Sequence, residues 1–389
     1  MNILFLIGKY PSYGGTEKIT TVLANYFIEK NNVYIVSFEQ PVPELASELH
    51  NNIKLYYLSL PVLSIQNVKT MQSIIIDERI DLIINQWCLP FYTTMLCNIA
   101  IGRSQNCKLV SVLHGVPDKS KKVIVAEDLV LKQTGLLHKY LAKAKLYLVN
   151  QVIKNSVKYV YKHSDCYVVL SKGFIKSFQA YTGIKNTSKL YSIGNPITIP
   201  TEYDSSILLH KKRQILYVGR LDFENKRVNR IVEAWESIFT IYSDWELVLV
   251  GDGPHRMQLE TYVKEHAIER VRFEGFVKEE PIQYYKDASI LMLTSDLEGF
   301  GLVIVEGMSY GVVPLVYGSY VSVYDIIDHG KNGYITSCPY SKEQTIDYLK
   351  KLIDDEKLRL SMAEQAQKKS KKFTLESVTE QWENLFLSI

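Results

Sequence analysis

The sequence predicts an α/β fold of two doubly wound, Rossmann-like domains, each built on a parallel sheet. Three observations carry this prediction. The chain has 389 residues, which at roughly 100–200 residues per domain suggests two domains. Short apolar runs alternate with stretches of helical period, the rhythm of βαβ units. That rhythm breaks once, near residues 195–212, and then restarts.

The elements follow in order. ILFLIG (3–8) is a continuous apolar run ending in glycine, as expected of a parallel strand covered on both faces. After the loop KYPSYGG, residues 16–30 place Ile19, Val22, Leu23, Tyr26 and Phe27 on one helical face, with Thr16 positioned to cap the helix. VYIVSF (33–38), IDLIINQ (80–86), KLVSVLH (108–114) and CYVVLS (166–171) read as further strands with helices between them. Residues 195–212, NPITIPTEYDSSILLHKK, hold Pro196 and Pro200 behind Gly194 and show no steady period, so they read as an interdomain connection with a hinge. QILYVGR (214–220), WELVLVGDG (245–253), VRFEGF (271–276), ASILMLTS (288–295) and VVPLVYG (312–318) restart the strand series, and VNRIVEAWESIF (228–239) is one of the intervening helices.

Composition excludes several classes. With 47% apolar, 11% aromatic and 22% charged residues, the chain is not disordered, collagen-like or a small disulfide scaffold. Cys88, Cys97, Cys107, Cys166 and Cys338 are odd in number, scattered and without a C-x-x-C pair, which fits a reducing compartment. MNILFLIGKY lacks the basic region and cleavage site of a secretory signal, and no apolar stretch approaches ~20 residues, so a soluble cytoplasmic protein is expected.

A net charge of +3 does not argue for nucleic acid, but the charge is uneven. Residues 1–205 carry 22 Lys+Arg against 14 Asp+Glu, and the remainder 23 against 28. Segment 119–162 alone has ten lysines against Glu127 and Asp128. Within it Leu136, Leu137, Tyr140, Leu141 and Ala144 recur at helical spacing between Lys139, Lys143 and Lys145. Two readings fit: a solvated face of ordinary helices, or a surface that meets anionic lipid headgroups or an acidic acceptor.

Two helix starts look built for anions. Gly14-Gly15 precedes the first helix, and Glu298-Gly299-Phe300-Gly301-Leu302 leads from a strand into VIVEGMSYG. In each, glycine lets the backbone approach a ligand and the helix end offers unpaired N–H groups; the alternative for each is a plain turn. Between them Arg220 and Lys226 share one loop after a strand and can neutralise a diphosphate. The competing reading is a surface ion pair with Asp222 or Glu224, and Arg227 competes with Lys226 for the role. Glu298 and Glu306 are eight apart and suit sugar hydroxyls or, alternatively, the helix dipole. His114 ends a strand before Gly115 and suits the crevice or the core. No metal-ligand spacing and no Asp-x-Asp occurs, so no metal is expected.

Gly14-Gly15-Thr16-Glu17, VGRLDFENKR (218–227), LVGDGP (249–254), FEGFV (273–277), SDLEGFGLVIVEGMSYGVVP (295–314) and EQWENL (380–385), in this order, resemble glycosyltransferase family 4 of the bacterial surface-polysaccharide type. The resemblance covers nearly the whole chain, and Glu-x7-Glu is its strongest element. It implies a retaining enzyme of the GT-B fold, with two facing Rossmann-like domains at 1–195 and 196–372 and a C-terminal helix at 373–389 crossing back to the first.

The resemblance further implies that Arg220 and Lys226 hold the donor's diphosphate with the amides of Gly14, Gly15, Gly299, Phe300, Gly301 and Leu302. Glu306 would bind the ribose, Glu298 the transferred sugar, Phe276 and Val277 would border the base, and His114 would sit near the reacting carbon. The donor would be a nucleotide-diphosphate sugar, with UDP favoured. The acceptor would be a glycan or lipid-linked glycan in capsule, O-antigen or other surface-polysaccharide assembly at the inner face of the cell membrane. No cofactor is implied. A sugar-nucleotide 2-epimerase and a non-catalytic nucleotide-sugar-binding subunit share the architecture. The chain departs from the family at Lys226-Arg227, where Lys-Gly is common, and at Glu306-Gly307-Met308, where Glu-Ala-Met is common. Gly307 should weaken its helix by up to ~1 kcal/mol.

Overall fold

The computed structural model describes residues 1–389 apart from 90, 103–105, 202, 204 and 205 and the side chain of 121. It divides into two units: 1–195 with 378–389, and 196–377.

Unit 1 is built on seven strands: β1 (Asn2–Lys9), β2 (Asn32–Glu39), β3 (Lys54–Tyr57), β4 (Leu82–Asn85), β5 (Lys108–Leu113), β6 (Cys166–Val169) and β7 (Leu190–Ser192). Their spatial order is β3-β2-β1-β4-β5-β6-β7, and the neighbours run parallel. The continuous apolar runs of β1 and β4 are fully enclosed because helices cover both faces. Those helices are α1 (Gly15–Phe27), α2 (Ile65–Asp77), α3 (Tyr92–Ile101), α4 (Lys121–Lys132), α5 (Leu136–Lys162) and α6 (Gly173–Thr182). Ser64 caps α2 by accepting the Asn67 amide, and Ser120 caps α4 at Val123. Thr16 does not cap α1. The cap position is Gly14, with no side-chain bond, because the helix begins at Gly15, one residue before Thr16.

Unit 2 holds α7 (Ser206–Leu209), β8 (Gln214–Val218), α8 (Val228–Glu236), β9 (Glu246–Val250), α9 (Arg256–Glu265), β10 (Val271–Gly275), α10 (Ile282–Asp287) and β11 (Ile290–Leu293). It continues with α11 (Leu302–Ser309), β12 (Val313–Tyr317), α12 (Val323–Ile326), β13 (Tyr334–Thr336), α13 (Lys342–Asp354) and α14 (Glu356–Ser370). The sheet order is β10-β9-β8-β11-β12-β13, again parallel throughout. The last helix, α15 (Leu375–Ser388), buries Trp382 and sets Phe386 against Phe27 of α1, with ring centroids 5.3 Å apart.

The described residues of the expected connection at 195–212 include buried and helical positions. Residues 202, 204 and 205 lie outside the described set, and 206–209 form α7. Ile197 and Ile199 are buried, and the Ile197 amide donates to Phe373 O at 2.7 Å. A buried backbone donor needs such a partner, and that fixes this part of the segment within unit 2.

The helical period in 119–162 corresponds to α4 and α5; Val157, Val160 and Tyr161 at the end of α5 are buried, but most large apolar side chains before them in that helix are not covered. Leu136, Leu137, Tyr140, Leu141, Tyr147, Leu148 and Val152 are all more than half exposed, whereas Ala142 is buried. Among the described residues no helix is long and apolar enough to cross a membrane.

Candidate functional site

In unit 2 the strand order reverses between β8 and β11. Open α/β sheets take their ligands outside the carboxyl ends of the strands at such a switch point. Two loops meet there, 219–227 after β8 and 294–301 after β11, and they are bonded along their length. The Asp296 amide donates to Asn225 O at 2.7 Å, and Thr294 Oγ1 donates to Arg227 O at 3.0 Å. Asp222 organises the first loop by accepting the amides of Asn225 and Lys226 on Oδ1, each at 2.8 Å.

Lys226 Nζ lies 2.5 Å from Glu298 Oε1, so the cation and the carboxylate assigned to a donor meet each other. The surface pairing of Lys226 with Asp222 or Glu224 does not form; Asp222 spends its carboxylate on amides instead. Arg220 is exposed, and among the described residues its guanidinium has no ion-pair partner. Arg227 points its charge elsewhere, with Nε 2.5 Å from Asp296 Oδ2. Its backbone is left-handed at φ 50° and ψ 39°, a region where glycine fits and other residues are strained. That geometry would suit the glycine that the sequence resemblance leads one to expect here. Arg230 completes the cluster with Nη1 2.7 Å from Asp296 Oδ1, its guanidinium lying over the rings of Tyr317 and Tyr340.

Glu306 sits inside α11 at 7% exposure, where Thr198 Oγ1 donates to one oxygen at 2.7 Å and Tyr285 OH to the other at 3.0 Å. Gly301 caps α11 at φ 93°, and Leu302 is its first helical residue. Phe300 buries its ring against Phe373, so only its backbone is offered to a ligand. The glycines of VGR and GDG have a steric reason. A Cβ on Gly251 would stand 1.9 Å from Gly219 O, and one on Gly253 would stand 2.4 Å from Leu221 O. The turn carrying Arg220 is thus packed backbone to backbone on the turn after β9. Phe276, 53% exposed, and Val277 follow the edge strand β10, two strands from β8.

In unit 1 the order reverses between β1 and β4. Gly14 and Gly15 are exposed at the start of α1, where the Glu17 side chain already bonds its own amide. Burial raises the Glu17 carboxyl pKa, opposed by that amide and by Lys9. His114, after β5, hydrogen-bonds Gln86 Oε1 through Nε2, and enclosure lowers its pKa to about 4, so the ring is neutral at pH 7. Gln86, after β4, is 4% exposed, and its Nε2 has no partner among the described residues.

The structure therefore gathers Arg220, Lys226, Glu298, Gly299, Phe300 and Gly301 on two adjoining loops, with Leu302 opening α11 and Glu306 one turn further along it. Gly14, Gly15 and His114 belong to unit 1. Sequence reasoning missed Asp296, Arg230, Thr198 and Gln86. Only Asp296, two residues before Glu298, had a positional hint. Among the described residues no cluster of His, Cys, Asp and Glu could hold a metal ion.

The sequence model described as Glycosyltransferase Family 4 matches residues 13–199, and that described as Glycosyl transferases group 1 matches 200–369. An α-1,4-N-acetyl-D-galactosaminyltransferase of Campylobacter jejuni, whose name specifies a PP-undecaprenol-linked glycan, is 24% identical over all of this chain and 99% of its own. An uncharacterized glycosyltransferase of Haemophilus influenzae is 29% identical over 51% of this chain; the match spans 55% of that relative. A lipopolysaccharide 1,6-galactosyltransferase of Salmonella typhimurium is 28% identical over 50% of this chain and 56% of its own length. Anabaena HepE, solved with UDP and glucose, superposes with a TM-score of 0.75 at 19% identity, covering 100% of this chain and 99% of that one. The galactosyltransferase WaaB superposes at 0.67 and 20% identity over 100% and 99%. These likenesses show the GT-B fold.

Proposed function

We propose, from the premise that this chain belongs to glycosyltransferase family 4, that it transfers a sugar from a UDP-sugar to a glycan or lipid-linked glycan, with retention of anomeric configuration, in bacterial surface-polysaccharide assembly. The observation that carries this reading is the Lys226–Glu298 pair beside exposed Arg220 at the switch point of unit 2. The UDP bound in solved neighbours supports the base, and the lipid-linked glycan in the name of the full-length Campylobacter relative supports the acceptor.

When the anomeric carbon separates from the diphosphate, negative charge grows on the leaving oxygen. Arg220, Lys226 and the amides of Gly299, Phe300, Gly301 and Leu302 are the fixed positive groups for it, each such donor contributing on the order of 2.7–4 kcal/mol in a water-poor site. The diphosphate draws Lys226 away from Glu298 and releases that carboxylate for sugar hydroxyls. The acceptor oxygen bonds the anomeric carbon on the face the diphosphate leaves, and its proton passes to a phosphate oxygen. His114, neutral, is assigned to the donor sugar, Glu306 to the ribose, and Phe276 and Val277 to the base. Arg220 and Lys226 take the charge-stabilising role that a metal fills elsewhere.

Turnover of UDP-sugars with lipid-linked acceptors, followed by NMR of the product anomer, tests this directly. Arg220→Ala and Lys226→Ala should each lower donor kcat/KM by about 100-fold or more, and activity should persist in chelator. Turnover within threefold of wild type in both variants would remove the diphosphate assignment. Inversion of the anomer would remove retention, and loss of activity restored by magnesium would remove metal independence.

The same reading places the protein at the inner face of the cell membrane through α4 and α5. At 100° per residue the exposed apolar side chains of α5 fill an arc of about 160°, bordered by Lys139 and Lys143 on one side and Lys145 on the other. Buried Ala142 lies opposite. An apolar stripe flanked by lysines suits the boundary of an anionic bilayer, with ~1 kcal/mol per lysine. Reversing Lys139, Lys143 and Lys145 to Glu should abolish cosedimentation with phosphatidylglycerol vesicles; unchanged binding would leave α5 a solvated helix.

A further inference from the structure

Asp296 has no role in the donor assignments above, yet its carboxylate holds two arginines beside them. Its Oδ2 takes Arg227 Nε at 2.5 Å and its Oδ1 takes Arg230 Nη1 at 2.7 Å, while its amide donates to Asn225 O at 2.7 Å. Arg230 is anchored in turn: Nη1 also donates to Thr294 O at 3.0 Å, and the guanidinium lies 5.0 Å and 4.5 Å from the ring centroids of Tyr317 and Tyr340. Arg227 ends the loop that carries Lys226, and Arg230 lies in the first turn of α8 that follows it.

We propose that Asp296 is a positioning residue for sugar transfer, clamping the loop of Lys226 onto the loop of Glu298 so that the donor meets the two groups as one preformed unit. The inference rests on the donor-site reading of these loops.

The backbone shows why a clamp is needed. Arg227 is left-handed at φ 50°, a conformation that costs a non-glycine residue free energy unless its surroundings hold it. The residue before it is Lys226. Without Asp296, Arg227 keeps its strain and loses its partner, and Arg230 is left with the Thr294 carbonyl and two rings. The loop then relaxes and carries Lys226 away from Glu298. A glycine at 227 takes the same conformation freely and needs no carboxylate, so the clamp and the departure from glycine belong together. This predicts a coupling between the two positions that an ordinary surface ion pair lacks.

The test uses the full-length chain in steady-state kinetics with a UDP-sugar and acceptor, on Asp296→Ala, Asp296→Asn, Arg227→Gly and the double variant Arg227→Gly/Asp296→Ala. Asp296→Ala should lower donor kcat/KM at least tenfold while acceptor KM stays within twofold, and Asp296→Asn should fall between it and wild type. Arg227→Gly alone should cost two- to fourfold. The double variant should recover at least threefold over Asp296→Ala, because glycine removes the need for the clamp. Additive losses in the double variant, or an Asp296→Ala within twofold of wild type, overturn the proposal. So does a parallel rise in acceptor KM with a lowered Tm, which marks a structural role only. Should Asp296→Ala fail to fold, Asp296→Asn and the double variant decide by the same criteria. A wild-type chain that turns over no nucleotide sugar removes the donor-site reading and this inference with it; an active wild type with an indifferent Asp296 removes only the inference.

Discussion

At the scale of single residues, the environment of each side chain decides what chemistry it offers. His114 is the clearest case. Enclosure lowers its pKa to about 4 from roughly 6.5 in the unfolded chain, so between those values the unfolded chain takes up a proton that the folded ring refuses. The folded state therefore loses stability as pH falls from 6.5 toward 4, and this group adds no pH dependence above that window. His114→Gln lacks the titration, so its stability relative to wild type should improve between pH 7 and pH 5 in urea unfolding. A difference that stays constant across that range would mean that His114 is not held neutral. The same residue shows what sequence leaves out. Its place at a strand end was legible, but its tie to Gln86, 28 positions away, depends on β4 and β5 being neighbours. Lys226, Arg227 and Asp296 are alike in this respect. The cations were read as rivals within one loop, and only the meeting of two loops gives each its own carboxylate.

At the scale of elements, the interior strands were legible and three edge strands were not. β1, β4, β8 and β11 are continuous apolar runs because both faces are covered. β3, β7 and β13 lie at sheet edges, have four, three and three residues, and leave no such run. Helical period fixed the existence of α5 but not its environment, since an apolar stripe reads the same whether a sheet or nothing covers it. Glycines are legible only as exceptions to pattern until their contacts are known. A Cβ on Gly251, at φ 133°, would stand 1.9 Å from Gly219 O, and neither backbone can yield without moving β8 or β9. Gly251→Ala should therefore cost at least about 3 kcal/mol in denaturant unfolding, combining strained dihedrals with overpacking. At Gly307 the nearest atom to a new Cβ is the terminal Leu291 Cδ1 at 3.3 Å. Gly307→Ala should change stability by under about 1 kcal/mol, because the helix propensity gained offsets a small shift of that methyl. Equal costs at the two positions would refute the backbone-contact argument.

For the whole molecule, the division of the chain into two units, each with its own parallel sheet, separates the charged groups by function. The ion-paired loops that carry Arg220, Lys226 and Glu298 lie wholly within 196–377, so the nucleotide's diphosphate should be felt by that unit's stability. A ligand that binds only the folded state stabilises it by RT ln(1 + [L]/Kd), or ~2.7 kcal/mol at 100 times Kd. In calorimetry of the full chain, UDP at that ratio should raise the transition belonging to unit 2, and GDP at equal concentration should raise it less. Arg220→Ala with Lys226→Ala should reduce the UDP shift to that of UMP while leaving the ligand-free transition within about 1 kcal/mol of wild type. The reason is that Arg220 is exposed and the Lys226–Glu298 pair is only partly enclosed, so neither contributes much to folding. UMP separates the two halves of the ligand. Without the second phosphate it should give a smaller shift in wild type and the same shift in the double variant, because Arg220 and Lys226 are assigned to the diphosphate alone. A UDP shift that survives undiminished in the double variant, or a UMP shift that equals it in wild type, would place the diphosphate elsewhere than on these two loops.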